Sequence, residues 1–186
     1  GLYRLVGQWR APDYNGWYQI EITVEGGGKT EKIQRGMYVV PALDQVIYAD
    51  ASGANWRRGF SINADIDFAG ADSVYRGDAS IALDAKAFTL ELLPVTPIVP
   101  TGYRALRLAF HPGDVEYSAR PALTLQINND GRKSINLAAS QWPGVGIDLE
   151  QRGWQIIEVP LSVFYPLEEP IENLRLFGNL RGTFYL

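Results

Sequence analysis

Hydrophobic and polar residues alternate along much of this chain, with a period of two residues. Between Tyr18 and Val24 every second residue is apolar, and polar residues fill the positions between them. Because successive side chains of a strand point to opposite faces, this pattern predicts a half-buried β-strand. Gly26–Gly28 then predicts a turn, and the mostly polar segment 29–40 returns to complete a β-hairpin.

The rest of the chain repeats this pattern in short segments that are separated by turn signals such as SGAN, YRGD and NNDGR. The strand candidates are residues 46–50, 60–68, 79–83, 89–93, 105–110, 122–127, 154–159, 173–177 and 183–186. No segment carries a sustained helical stripe, and Pro160 and Pro166 confine the best candidate, Leu161–Tyr165, to about one turn. We therefore expect an all-β fold, an antiparallel β-sandwich, in which Pro160 ends the strand that begins near Trp154.

A domain boundary is predicted near residues 41–45, where the sequence reads PALDQ. Residues 1–45 then form a β-hairpin unit that is too small to hold a core of its own, and residues 46–186 form the sandwich. We favour the hairpin unit as the end of an immunoglobulin-like domain, and the alternative is an extra pair of strands on the sandwich. We interpret Trp9 and Trp17 in this unit as packing or interface residues.

Composition narrows the range of functions. The net charge of −4 argues against a nucleic-acid surface, and no apolar run approaches the roughly 20 residues of a membrane span. The chain has no cysteine and one histidine, His111, which removes most catalytic and metal-binding arrangements. The carboxylate groups Asp65/Asp67 and Glu168/Glu169 do not place two carboxylates across a cleft, so we expect no enzyme activity.

The order of several segments resembles a known family. The segments are VIYADASGANW (46–56), SVYRGDASIAL (73–83), TGYRALRLAFHPGD (101–114), PALTLQIN (121–128), GWQIIEVPLSVF (153–164) and ENLRLFGNLRGTFYL (172–186). They are similar to the galactose-binding-like jelly-roll modules found beside bacterial carbohydrate-active enzymes and in cell-surface proteins. The resemblance implies a jelly-roll sandwich, a non-catalytic carbohydrate-binding function and an extracytoplasmic location, whether secreted, periplasmic or on the cell surface.

The resemblance also bears on cofactors. Such modules close with an acidic pair that often helps to hold structural calcium, whereas this sequence stops at Tyr185–Leu186. We therefore expect no cofactor, and calcium is not favoured.

A candidate sugar-binding face follows from the alternation. In the strand candidates from 89 to 177 the leucines face one way, and four polar residues face the other: Glu91, Arg107, Gln126 and Arg175. If these strands share one sheet, the four residues lie on one exposed face and can hydrogen-bond to sugar hydroxyl groups. Trp56, Phe88 and Trp142 are the aromatic residues that we expect at its rim, where sugar rings would stack.

Two other interpretations remain open. The polar face can be simply solvated, with Glu91 paired to an arginine, since alternation alone requires polar residues outside. The chain can also be a structural or assembly domain whose partners are neighbouring domains or subunits instead of a polysaccharide or glycan. The aromatic residues of the hairpin unit, Tyr3, Trp9, Tyr14 and Trp17, suit such an interface.

Overall fold

The computed structural model describes residues 16–39, 45–164 and 166–186. The chain falls into two units, the first ending at Leu43 and the second beginning at Asp44. In the first unit β1 (Gly16–Gly26) pairs with β2 (Lys29–Val39) in an antiparallel hairpin, as the sequence predicted. Gly27 and Gly28 both have a positive φ, which suits a tight two-residue turn between twisted strands.

The hairpin buries less than the alternation predicted. Ile22 and Val24 of β1 and Ile33 of β2 are all exposed, with 45% of the Ile22 surface accessible. Among the described residues β1 pairs with β2 alone, and a two-stranded ribbon has little apolar surface to enclose. The prediction of a half-buried strand is therefore wrong for Ile22 and Val24. Tyr3, Trp9 and Tyr14, which the sequence suggested as interface or packing residues, lie outside the described residues.

The second unit is built from strands and short 3-10 helices. Its strands are β3 (Tyr48–Ala49), β4 (Ala51–Ser52), β5 (Trp56–Gly70), β6 (Ser80–Pro94), β7 (Ala105–Phe110), β8 (Leu123–Ile127), β9 (Ser134–Asn136), β10 (Gln155–Pro160), β11 (Leu174–Gly178) and β12 (Arg181–Tyr185). Every strand pairing is antiparallel. A 3-10 helix at Leu161–Phe164 follows Pro160 directly, so the strand ends where the sequence predicted.

The strands form two main sheets. Six strands make the larger sheet, in which β6 pairs with β5 on one side and with β12 and β11 on the other, and β8 and β9 follow β11. The smaller sheet contains β7 and β10. Buried side chains from both sheets share one core, which confirms the all-β sandwich.

Aromatic side chains join the two sheets at the centre of the core. Phe184 of β12 lies between Phe88 of β6 and Phe110 of β7, with ring centroids 5.1 and 5.8 Å apart. All three rings are almost completely buried, as are Ile157 and Val159 of β10. Burying large apolar side chains of this kind is the main favourable term in the stability of a sandwich.

Strand β6 is a single 15-residue strand, where the sequence suggested two. Ala87 has a φ of 55° and Asn63, opposite it on β5, has a φ of 52°, while the Asn63 side-chain amide donates to the Ala87 carbonyl at 3.3 Å. Residues in this conformation bulge out of the ladder and shift the alternation by one position. Before the bulge Leu83 and Ala85 face the core, and after it Phe88 and Leu90 do.

Candidate functional site

Three of the four predicted polar residues meet on the outer face of the larger sheet. Arg175 of β11 is the register partner of both Glu91 on β6 and Gln126 on β8, so the three side chains form one row across the sheet. The Arg175 Nε donates to the Glu91 Oε1 at 3.0 Å. The alternation of these strands therefore placed three ligand candidates on one face correctly.

Glu91 is buried, so the prediction that it lies exposed on this face is wrong. The residue is 7% exposed, and the strand edge beside it carries a register shift between Arg58 and Ser61. Gly59 lies in this bulge, and a Cβ atom placed there would stand 2.6 Å from the Glu91 Oε2. Glycine is thus the residue that lets the β5 backbone approach the carboxylate closely.

The same bulge brings an aromatic ring over the polar row. The Arg175 guanidinium carbon lies 4.7 Å from the centroid of the Phe60 ring, which is the geometry of a cation–π contact. Phe60 is 40% exposed, so part of its ring also faces solvent. Phe60 was not among the residues predicted from the sequence, although Phe60 and Ile62 are two apolar residues at i and i+2 and therefore share one face of β5.

A second row of side chains lies beside the first. It continues across the sheet from Ile62 through Thr89 and Phe177 to Thr124, each the register partner of the next. Ile62 is exposed, and the other three are half-buried. We call the two rows, together with Phe60, the outer face. It combines apolar ring surface with amide, hydroxyl and charged groups.

The other predicted site residues are not part of these two rows. Arg107 lies on β7 opposite Glu158, in the smaller sheet, because alternation gives the direction of a side chain but not the partner of its strand. Trp56 and Phe88 are 6% and 2% exposed and belong to the core, so their predicted role as sugar platforms is wrong. Trp142 is exposed in a loop, where its backbone N–H donates to the Ser140 Oγ at 3.1 Å.

A cavity of about 310 Å³ lies between the inner faces of the two sheets. Leucine side chains from both sheets line it: Leu90, Leu92, Leu125, Leu174 and Leu176 from the larger sheet and Leu106 and Leu108 from the smaller one. Leu106 and Leu108 are therefore only partly buried, although they face inward as the sequence predicted. A cavity lined in this way favours apolar groups over hydroxylated ones.

Polar and aromatic residues surround one side of this cavity. The Tyr75 and Trp154 rings are in contact, with centroids 5.6 Å apart, and the Arg76 guanidinium carbon lies 5.2 Å from the Tyr75 centroid. The Asp50 carboxylate accepts hydrogen bonds from the backbone N–H groups of Asp78 and Ala79, both at 2.9 Å. The turn containing the RGD tripeptide is therefore held against Asp50.

Tyr48 also lines the cavity and has a shifted pKa. Burial is the main cause that raises the pKa of Tyr48 above the ordinary value of 10.0, and the negative charges of Asp50 and Asp67 add to it. The Tyr48 hydroxyl donates to the Phe68 carbonyl at 2.7 Å. The neutral phenol is thus the form that this position favours.

Across residues 16–39, 45–164 and 166–186, no three His, Asp or Glu side chains gather in a way that could hold a metal ion. Within the same residues no helix has the length and apolar character needed to cross a bilayer. Neither the models of known protein families nor the sequences of curated proteins match this chain.

Proposed function

We propose that the second unit is a non-catalytic carbohydrate-binding module whose ligand, a polysaccharide or glycan, binds the outer face of the larger sheet. The observation that carries the proposal is the exposed Phe60 ring directly beside the Glu91, Arg175 and Gln126 row. Sugar rings offer an apolar face to an aromatic ring and hydroxyl groups to hydrogen-bonding side chains, and both are provided here within one surface.

Each group on the outer face has a distinct part in this proposal. Phe60 provides the ring on which a pyranose stacks. Gln126, with its amide oxygen and nitrogen, pairs with neighbouring hydroxyl groups. Arg175 keeps Nε on Glu91 and has its terminal amino groups left to donate to the ligand. Because no group here breaks a bond, affinity comes from contact alone.

Affinity electrophoresis in gels that contain soluble polysaccharides tests this function. We expect the parent protein to be retarded by at least one polysaccharide, and Phe60→Ala to lose most of that retardation. Tyr117→Ala is the matched control, because Tyr117 is a comparably exposed aromatic residue outside the outer face. No retardation by any polysaccharide, or equal retardation of Phe60→Ala and parent, would contradict the proposal.

A second candidate function, a structural or assembly domain, is favoured by the hairpin of the first unit. Ile22 and Ile33 are register partners on one face of the ribbon, Val24 follows on the same face, and all three are exposed. Clustered apolar residues at the surface of a ribbon are typical of a protein interface.

Light scattering over a range of protein concentrations tests self-assembly through this hairpin. We expect the parent to associate and Ile33→Lys to shift it toward the monomer. Thr23→Lys, on the opposite face of the ribbon, should leave association unchanged. A parent that is monomeric throughout would argue against assembly between copies.

A further inference from the structure

We propose that the cavity between the sheets binds a single hydrocarbon chain that carries a carboxylate, as in a fatty acid. The cavity lies on the opposite side of the larger sheet from the outer face and is independent of the function proposed for that face. Its lining changes from leucine in the interior to Tyr75, Arg76 and Trp154 at one side, so it has an apolar part and a cationic part.

The interior has the chemistry and the size for a chain. An apolar cavity of about 150 Å³ lined by aliphatic side chains stays dry and accepts benzene. The cavity here, at about 310 Å³, is roughly twice that volume, and leucine is the most frequent residue in its lining. Sugar hydroxyl groups would lose their hydrogen bonds to water without replacement in such a lining, so an apolar ligand is favoured.

The cationic part argues for an acidic head group. Across the residues that the structure describes, no carboxylate stands within ion-pair distance of Arg76, whose guanidinium rests over the Tyr75 ring. The Asp50 carboxylate, which also lines the cavity, accepts hydrogen bonds from two backbone N–H groups on Oδ1 and forms no ion pair with Arg76. Arg76 therefore has hydrogen-bond donors left for a carboxylate at the cavity opening.

The Tyr75–Trp154 ring pair lines the side of the cavity that carries Arg76. The two rings touch each other and leave no slot between them for a sugar, while Trp154 also contacts the His111 ring at 5.4 Å. A chain that enters beside this ring pair would change the surroundings of the Trp154 indole. Trp154 fluorescence is therefore a local reporter of occupancy.

Titration with octanoate, decanoate and 1-decanol below their aggregation concentrations, followed by tryptophan fluorescence and calorimetry, tests the proposal. Each buried methylene should tighten binding about fourfold, so decanoate should bind about 15 times more tightly than octanoate. Arg76→Gln should weaken decanoate binding about twofold to fivefold and leave 1-decanol binding unchanged. The Trp154→Phe variant should lose the fluorescence response but keep the calorimetric one.

Leu108→Trp fills the cavity and should abolish binding of both decanoate and 1-decanol. Ile156→Trp is the control, because Ile156 is exposed on the smaller sheet and alternates with the inward-facing Ile157. No binding of any chain to the parent, or equal binding by a folded Leu108→Trp, would overturn the proposal. If Leu108→Trp does not fold, an Arg76→Gln variant that binds decanoate and 1-decanol as the parent does overturns the assignment of the head group.

Discussion

Strands β6, β11 and β8 carry apolar side chains on one face of the sheet and polar side chains on the other. On the inner face Leu90, Leu176 and Leu125 are register partners across the three strands, and they line a cavity. The residues next to these leucines in the chain, Glu91, Arg175 and Gln126, form the polar row of the outer face. The hydrogen-bonding ladder is shared, so the difference lies entirely in which side of the pleat each side chain occupies.

Because of this difference, the two faces suit different classes of ligand. The outer face pairs its charges and leaves a phenylalanine ring exposed, which suits a ligand with both hydroxyl groups and an apolar ring face. The inner face offers leucine side chains around a cavity, which suits a hydrocarbon chain. A change on one face should therefore leave binding at the other face intact.

The largest predicted effect is on stability, and it distinguishes Phe88 of β6 from Phe60 of β5. Phe88→Ala removes a buried ring and should lower the free energy of unfolding by about 3–5 kcal/mol. Phe60→Ala should lower it by under about 1 kcal/mol, since the ring is exposed and loses mainly a cation–π contact. Urea denaturation of the two variants measures both values, and equal losses would contradict the assignment of the two rings to opposite faces.

Breaking the ion pair of the outer face should have the next largest effect. Arg175→Met leaves the buried Glu91 carboxylate without its partner and should cost about 2–3 kcal/mol of unfolding free energy. The double variant Glu91→Leu/Arg175→Met should recover most of that loss, because two apolar side chains need no partner. A double variant that is less stable than Arg175→Met would show that the pair contributes more than mutual neutralisation. Urea denaturation of the full cycle provides the comparison.

A smaller effect should follow from adding one methyl group to the bulge. Gly59→Ala places a Cβ against the Glu91 carboxylate and should cost about 1–3 kcal/mol while displacing Phe60 from Arg175. Gly131→Ala is the control, since open space surrounds that position. Thermal unfolding of both variants compares them, and a Gly59→Ala protein as stable as Gly131→Ala would contradict the close approach.

The smallest predicted effect is on the pH dependence of stability, and it involves Tyr48, which lines the cavity. Because the pKa of Tyr48 is raised in the folded state, its contribution to stability is complete below pH 10 and is lost as the pH rises further. Tyr48→Phe should therefore reduce the loss of stability above pH 10 relative to the parent. Thermal unfolding between pH 8 and about 11 measures it. Parallel pH profiles for parent and variant would exclude a role for this phenol.

Sequence alternation predicted the fold and part of the outer face for a clear physical reason. Side-chain direction depends only on the local backbone, so the sequence could predict that Glu91, Gln126 and Arg175 each point away from the leucines of their own strands, but not that the three strands share one sheet. Strand pairing depends on distant residues, and Arg107 therefore could not be assigned to the smaller sheet. The cavity could not be predicted for the same reason, because its existence depends on the distance between the two sheets.

Bulges account for most of the remaining errors. The left-handed Ala87 joins two predicted strands and reverses the alternation, so Phe88 faces the core instead of the rim. The shift between Arg58 and Ser61 brings Phe60 over Arg175, which no period of two can predict. Trp56 carried no signal of its burial, since polar residues follow it directly in the sequence.

Mapping a bound oligosaccharide by backbone amide chemical shifts is the direct test of whether the outer face is a glycan site. The oligosaccharide is taken from the polysaccharide that retards the parent in the gels. We expect the amides that shift to cluster in residues 59–62, 89–91, 124–126 and 175–177. Shifts centred on the Trp142 loop or the smaller sheet, or no shifts at saturating sugar, would contradict a glycan site on the outer face.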